Sequence, residues 1–306
     1  MHAKRMISEL EESKTEEVRL PASFCATATE SICNSITFDV EDYFQVETFR
    51  PLVAFDEWSS HELRVDVNTR KLLGILDDCG VASTFFVLGW IAERLPALVN
   101  DIAQSGHEIA CHGYSHRMVY EQTPDEFRED IRRAKGTLED IIGRPVLGYR
   151  APTFSITERT LWALDIVAEE EFRYDSSIFP IRHDRYGFPE WDRHIEIVEL
   201  SNGGRIIEVP PLTTRVLGLN LPAGGGGYFR LAPLWVSSWA IRRMNAEGHP
   251  AIVYLHPWEL DPAQPRFPVS PVHRFRHYVN LATTENKLRR LLVSRSFAPL
   301  RDILGL

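Results

Sequence analysis

The sequence predicts an α/β fold built from parallel βαβ units. Three observations carry that reading. Short runs rich in β-branched and aromatic residues alternate with amphipathic helical stretches along most of the chain. The run SITFDVED at residues 35–42 delivers three acids, Asp39, Glu41 and Asp42, to one rim of the expected sheet. A second wholly apolar run, AIVYL at residues 251–255, reads as a buried strand and is followed at once by His256.

The expected elements follow in order. Residues 35–40 form a strand. Residues 69–79 form a helix with Leu72, Leu73 and Leu76 on one face, and Gly80 ends it. Residues 82–88 (ASTFFVL) are a strand, 90–104 a helix, and 107–111 a short strand. Residues 123–142 carry the strongest helix signal: Thr123 caps it, Pro124 opens its first turn, Glu126 completes a capping box and Gly143 stops it. A strand at 146–149, a helix at 157–169 and short strands at 172–174 and 206–209 come next. The chain then reads as a helix at 232–247, the strand at 251–255, a helix at 284–294 and a short final element from 297. Between 179 and 227, Pro, Gly, Trp and Tyr without helical periodicity read as long loops with short strands around a pocket. AGGGG at 223–227 reads as a flexible loop, and its spacing matches no phosphate-binding motif.

Composition narrows the function. The chain has 306 residues, 44% hydrophobic and 25% charged, which is globular. A formal charge of −9 argues against binding driven by nucleic-acid phosphates. No apolar run is long enough to span a bilayer, and the first 34 residues lack the apolar core of a signal peptide, so a cytoplasmic chain is expected. Residues 1–34 read as a polar, disordered tail without chemistry, and 35–306 as a single domain. The four cysteines (Cys25, Cys33, Cys79, Cys111) show no C-x-x-C spacing, so no disulfide is expected, and Cys111 reads as a small buried residue rather than a thiolate ligand. Homo-oligomerisation is compatible with the sequence.

Polar residues gather at the carboxyl ends of the expected strands: Asp39, Glu41 and Asp42 after the first, then His112 and His116, Arg150, Asp175, and His256. In a barrel of parallel strands that end carries the chemistry. His112 and His116 form H-x-x-x-H, and on one helical turn both imidazoles reach a single cation. Two imidazoles and one carboxylate leave positions open on an ion, the pattern of a catalytic centre, with zinc the default. Bound to such an ion, water drops from a pKa of about 15.7 to roughly 7. Arg150 suits a partner that keeps Asp39 ionised as a base. His256, beside Pro257 and Trp258, suits a general acid. Asp175 either tunes that imidazole or caps a turn within YDSS.

These motifs resemble the polysaccharide deacetylases of carbohydrate esterase family 4, which share the NodB homology domain, from about residue 35 to the C-terminus. TFDVED looks like the family's first motif, which supplies base and metal carboxylates. HGYSH looks like its metal motif, with Gly113 where Ser or Thr is usual. RAPT at 150–153 is similar to its R-x-P-aromatic motif, with Thr153 in the aromatic's place, and YLHP looks like the motif that carries the acid His. DVEDYFQVE, YRAPTFSI, YDSSIFP and HRFRHYVNL resemble a subgroup found beside exosortase and exopolysaccharide loci.

The resemblance implies an irregular (β/α) barrel of about seven strands acting on an N-acetylated glycan. It implies Asp39 as base, His112 and His116 as ligands of a divalent metal such as Zn2+, Arg150 as the group that orients Asp39, and His256 as acid. The family's adjacent aspartates are here D-V-E-D, so the third ligand is either Glu41, which shares Asp39's face of an extended strand, or Asp42. Tyr43, Phe44, Trp191 and Trp258 are candidates for a sugar platform or for plain packing, and the backbone N–H of Thr153 for an oxyanion donor. The allantoinase-like branch implies an alternative, hydrolysis of a cyclic amide or ureide on the same scaffold. A non-catalytic glycan-binding relative would be expected to have lost a base, ligand or acid.

Overall fold

The computed structural model describes residues 32–183 and 185–306. The acids are carried by β1 (Ser35–Val40), in which every residue is buried. It lies between β2 (Thr84–Val87) and β10 (Ile252–Leu255), parallel to both. β3 (Glu108–Cys111), β4 (Gly148–Tyr149), β5 (Tyr174–Asp175) and β7 (Arg205–Glu208) extend the parallel run, and β6 (Glu196–Glu199) pairs antiparallel with β7. The eight-stranded sheet has the order β10-β1-β2-β3-β4-β5-β7-β6.

The sheet is curled. Arg150, directly after β4, donates from Nη1 to Asp39 Oδ1 on β1 at 2.7 Å. Three strand spacings separate β4 from β1, roughly 14 Å in a flat sheet, which is beyond an arginine's reach. The result is a half-barrel, as the expected fold class requires, but its two sheet edges do not pair. The β10 edge is covered by other backbone: Leu212 N donates to Ile252 O and Tyr254 N to Gly224 O, both at 2.8 Å. A side chain at Gly225 would collide with the Tyr254 carbonyl, so AGGGG is a packing requirement here rather than the flexible loop expected.

The helices lie along the sheet. α1 (Val65–Cys79) begins four residues before its expected start. The single helix expected at 90–104 is two, α2 (Gly89–Arg94) and α3 (Pro96–Gln104), because Pro96 lacks an N–H and opens a new first turn. α4 (Pro124–Ile142) has the expected Thr123–Glu126 capping box and ends at Gly143, whose φ is 66°. α5 (Trp162–Glu169), α6 (Gly226–Leu231), α7 (Leu234–Ala246), α8 (Pro271–Tyr278), α9 (Leu281–Leu292) and α10 (Leu300–Leu304) follow. β8 (Thr213–Val216) and β9 (Leu219–Pro222) form a separate hairpin. No helix among the described residues is long and apolar enough to cross a membrane.

The end of the half-barrel remote from the strand carboxyl termini is closed by polar contacts. Buried Glu108 accepts from Thr84 Oγ1 (2.6 Å), Tyr174 Oη (2.9 Å) and Arg301 N (3.0 Å), which fixes α10 to the sheet. Asn34, assigned from sequence to the tail, is fully buried, and its Oδ1 accepts from Ala251 N at 2.8 Å. The rest of that tail up to residue 31, with Cys25, lies outside the described residues.

Two buried imidazoles make stability depend on pH. Burial pulls His107 down to about 4 and His277 down to about 3, with Arg301 and Arg230 adding to the effect. Both are held neutral in the fold and titrate near 6.5 when exposed. Between roughly 6.5 and 4 the unfolded chain therefore binds more protons, and stability falls as pH drops through that window. The melting temperature is expected to fall by roughly 5 °C or more over it. A His107→Gln variant should show a shallower fall; an unchanged slope would remove His107 from the account.

Candidate active site

Glu41, His112 and His116 converge at the carboxyl end of the sheet, and a ligand atom from each lies within 4.8 Å of the others. All three are buried. The histidines do not share a helical turn, as the spacing suggested. They flank a loop after β3 in which Gly113 (φ 74°) and His116 (φ 53°) are both left-handed. Asp130 of α4 clamps that loop, accepting from Tyr114 N at 2.7 Å and from Ser115 Oγ at 2.6 Å. A Cβ at position 113 would press on the Asp130 carboxylate as well as strain the backbone, which explains glycine there.

The donor set fits a divalent cation. His112 Nδ1 lies 2.8 Å from the Arg150 carbonyl and donates to it, which leaves Nε2 with its lone pair toward the other ligands. Burial pulls this imidazole down to about 4, so it is neutral, the form that ligates. Burial opposes ionisation of Glu41, but the imidazoles of His116 and His256 chiefly hold its carboxyl down at about 2. Trp258 Nε1 donates to Glu41 Oε1 at 3.2 Å and fixes the group. Oε2 is 2.8 Å from His116 Nε2 yet has no hydrogen-bond partner, a buried anionic oxygen facing two imidazoles.

Asp42 is occupied elsewhere. Its Oδ1 accepts from Tyr43 N at 2.8 Å, and its Oδ2 from Arg64 N at 2.7 Å and Val65 N at 2.9 Å. It caps α1 from a distance, which accounts for that helix's early start. Of the two acids left open by D-V-E-D, Glu41 is the one brought to the histidines.

Asp39 lies beside the triad. Arg150 holds its Oδ1, while its Oδ2 is 3.8 Å from His256 Nε2. Arg150 is wholly buried and fully engaged: it also donates to Thr37 Oγ1, Ser176 O and Ser176 Oγ, and lies over the Phe86 ring.

His256 does not meet Asp175. Its Nδ1 contacts Glu259 Oε1 at 2.8 Å, and Glu259 in turn accepts from buried Arg230 Nε at 2.6 Å. Burial lowers the imidazole's affinity for a proton, but Glu41, Glu259 and Asp39 outweigh it and push His256 up to about 9. Asp175 instead accepts from Ser177 N and Oγ, the turn-capping alternative, and Ser177 Oγ accepts from Ala151 N. Tyr43, Phe44 and Trp258 are buried, so they pack rather than offer a sugar platform, and Trp191 is half-buried. Thr153 and Phe154 are both left-handed (φ 56° and 53°), a strained pair directly after the Arg150 motif.

Sequence reasoning missed Glu259, Arg230 and Asp130, and the bond from the Trp258 indole to Glu41. Glu259 had a signal, since an acid three residues after His256 in HPWE is capping-box spacing. Glu259→Gln would leave Arg230 buried without its counter-charge and is expected to cost about 3 kcal/mol. Urea titration reads this; a loss below about 0.5 kcal/mol, the level of an exposed pair, would mean that the pair is solvated.

Comparisons with known proteins bear on the two halves of the chain separately. Residues 48–168 match the polysaccharide deacetylase family. Residues 176–305 match a domain of unknown function, DUF3473. The candidate site draws on both matched segments and on β1, which precedes them: Asp39 and Glu41 come from β1 and its end, His112, His116 and Arg150 from the deacetylase segment, and His256 and Glu259 from the second.

A peptidoglycan-N-acetylglucosamine deacetylase of Bacillus cereus is 37% identical over 98 residues, 32% of this chain and 36% of that protein. The chain spans about a third of the length of the curated relatives it matches first. A solved structure described as a putative polysaccharide deacetylase from Mycobacterium smegmatis has a TM-score of 0.60 at 22% identity, covering 94% of both chains. The Puue allantoinase structure has a TM-score of 0.59 at 15% identity, covering 95% of this chain and 96% of that one. Both show a shared half-barrel fold.

Proposed function

We propose that the chain is a metal-dependent N-deacetylase of N-acetylated amino sugars in a glycan, either an exopolysaccharide or a peptidoglycan-type polymer or its lipid-linked precursor. One observation supports this above the others: an anchored base and a buttressed imidazole, Asp39 and His256, flank a cluster of cation ligands on one sheet rim. Glu41, His112 and His116 would hold the ion, with zinc the first choice for two nitrogens and one oxygen. When bound, such an ion lowers the pKa of water and polarises a carbonyl oxygen.

The chain's own groups supply the rest. Asp39, fixed through Oδ1 by Arg150, offers Oδ2 to remove a proton from the attacking water. The water oxygen bonds to the acetamide carbonyl carbon. The backbone N–H of Thr153 would donate to the developing oxyanion. His256, oriented through Nδ1 by Glu259, donates its Nε2 proton to the amine as the C–N bond breaks. Acetate and the free amino sugar leave.

The test is acetate release from N-acetylglucosamine oligomers with and without a chelator. Release that falls by about 100-fold on chelation and returns with zinc supports the reading. Release unaffected by chelation, or turnover confined to cyclic ureides, overturns it.

A further inference from the structure

The β8–β9 hairpin stands apart from the chemistry, and its composition is costly. Its two-residue turn is Leu217–Gly218, with φ 50° and 82°. A turn with both central residues left-handed favours Asn-Gly, because a leucine there bears backbone strain. Leu217 is also 98% exposed, and Leu219 and Leu221 on the returning strand are 65% and 44% exposed. An asparagine at 217 would serve both turn and solvation better, so the fold itself gives no reason for this apolar tip.

The hairpin carries an exposed cation of its own in an acidic chain. Arg215 pairs with Asn220 across the hairpin and is exposed. Arg243 of α7 is also exposed; burial first, and then the charges of Arg243 and Arg215, lower the proton affinity of Arg193, which Asp192 opposes. Arg193 is itself taken up by Glu247 and the Thr213 carbonyl. Outward positive charge is carried by Arg215 on the hairpin and by Arg242 and Arg243 on α7, which packs against β8.

We propose that this hairpin is a membrane-surface anchor, its leucines entering the headgroup boundary of a bilayer while Arg215 and Arg243 meet anionic lipid headgroups. An apolar hairpin tip backed by cationic side chains is the pattern of interfacial anchors. A second protein copy fits less well: three side chains on a convex tip offer far less than the roughly 800 Å2 per partner of a stable interface. A fluid bilayer needs no complementary shape. The local positive charge would also orient a chain that carries −9 overall.

The test is sedimentation of the full chain with vesicles of equal parts phosphatidylcholine and phosphatidylglycerol, against phosphatidylcholine alone. The wild type should bind the anionic vesicles, and high salt should weaken binding. Leu217→Asn, which suits the turn, should weaken partitioning by on the order of tenfold with an unchanged or raised melting temperature. Arg215→Gln with Arg243→Gln should remove the preference for anionic lipid. No vesicle binding by the wild type, or Leu217→Asn binding like the wild type, overturns the proposal. So does a mass measurement that finds a dimer broken by Leu217→Asn, which would make the tip a protein contact.

Discussion

Glu41→Gln, His112→Ala and His116→Ala are each expected to abolish stoichiometric binding of a divalent ion, whereas Asp42→Asn is expected to keep it. The first three lose a donor from a cluster whose ligand atoms lie within 4.8 Å of one another. Asp42 spends its oxygens on three backbone N–H groups. Metal content after dialysis separates the cases, and acetate release should fall by at least about 100-fold in the ligand variants. Asp42→Asn should show a different defect, a loss of about 1–2 kcal/mol in unfolding free energy from the weakened cap on α1. An Asp42→Asn protein that folds but holds no ion, beside a Glu41→Gln protein that does, would reverse the assignment of the two acids.

Arg150→Met is expected to be the most destabilising single change in the site. The guanidinium has no exposed surface and joins β1 (Thr37, Asp39) to the segment after β5 (Ser176) across the curled sheet. Its removal breaks the buried hydrogen-bonded pair with Asp39 and leaves only His256, 3.8 Å away, as a cationic neighbour, which costs about 3–5 kcal/mol. Arg150→Lys restores the charge but not the fork, since one ammonium cannot reach Thr37, Asp39 and both Ser176 acceptors together. Denaturant titration should rank the proteins wild type, Lys, Met. If the Lys variant matches the wild type in both stability and turnover, the planar geometry is unimportant.

Much of the sheet was legible because parallel strands buried on both faces leave uninterrupted apolar runs. The run at 35–40 begins and ends as expected, and 251–255 contains β10. The helix at α4 was legible because Thr123, Pro124, Glu126 and Gly143 state its ends locally. The site was legible wherever a residue follows its strand directly: His112, Arg150 and His256 all do.

What failed was pairing. Of the two roles open to Asp175, the turn cap holds and the contact with His256 does not, because β5 and β10 are far apart in the sheet order. Glu259 reaches His256 from three residues on, Arg230 reaches Glu259 from α6, and Asp130 reaches the His112–His116 loop from α4. Such contacts depend on which helix packs against which strand, information that periodicity does not carry. The H-x-x-x-H pair illustrates a subtler failure. The spacing suits a helix, but Gly113 and the Asp130 clamp produce the same convergence from a loop.

Asp175 has a further consequence, away from catalysis. It is the register partner of Glu208 across β5 and β7, and both are fully buried. Burial pushes both carboxyls up, Glu208 furthest because the Asp175 charge adds to the effect. Two adjacent carboxylates in so dry a place cannot both be ionised at neutral pH, so one proton is stored inside the sheet. Counting side chains gives −9, but the folded chain is one unit less negative on this account. In an electric field the native protein should migrate as the less acidic species, and on unfolding at neutral pH it should release that proton to the solvent.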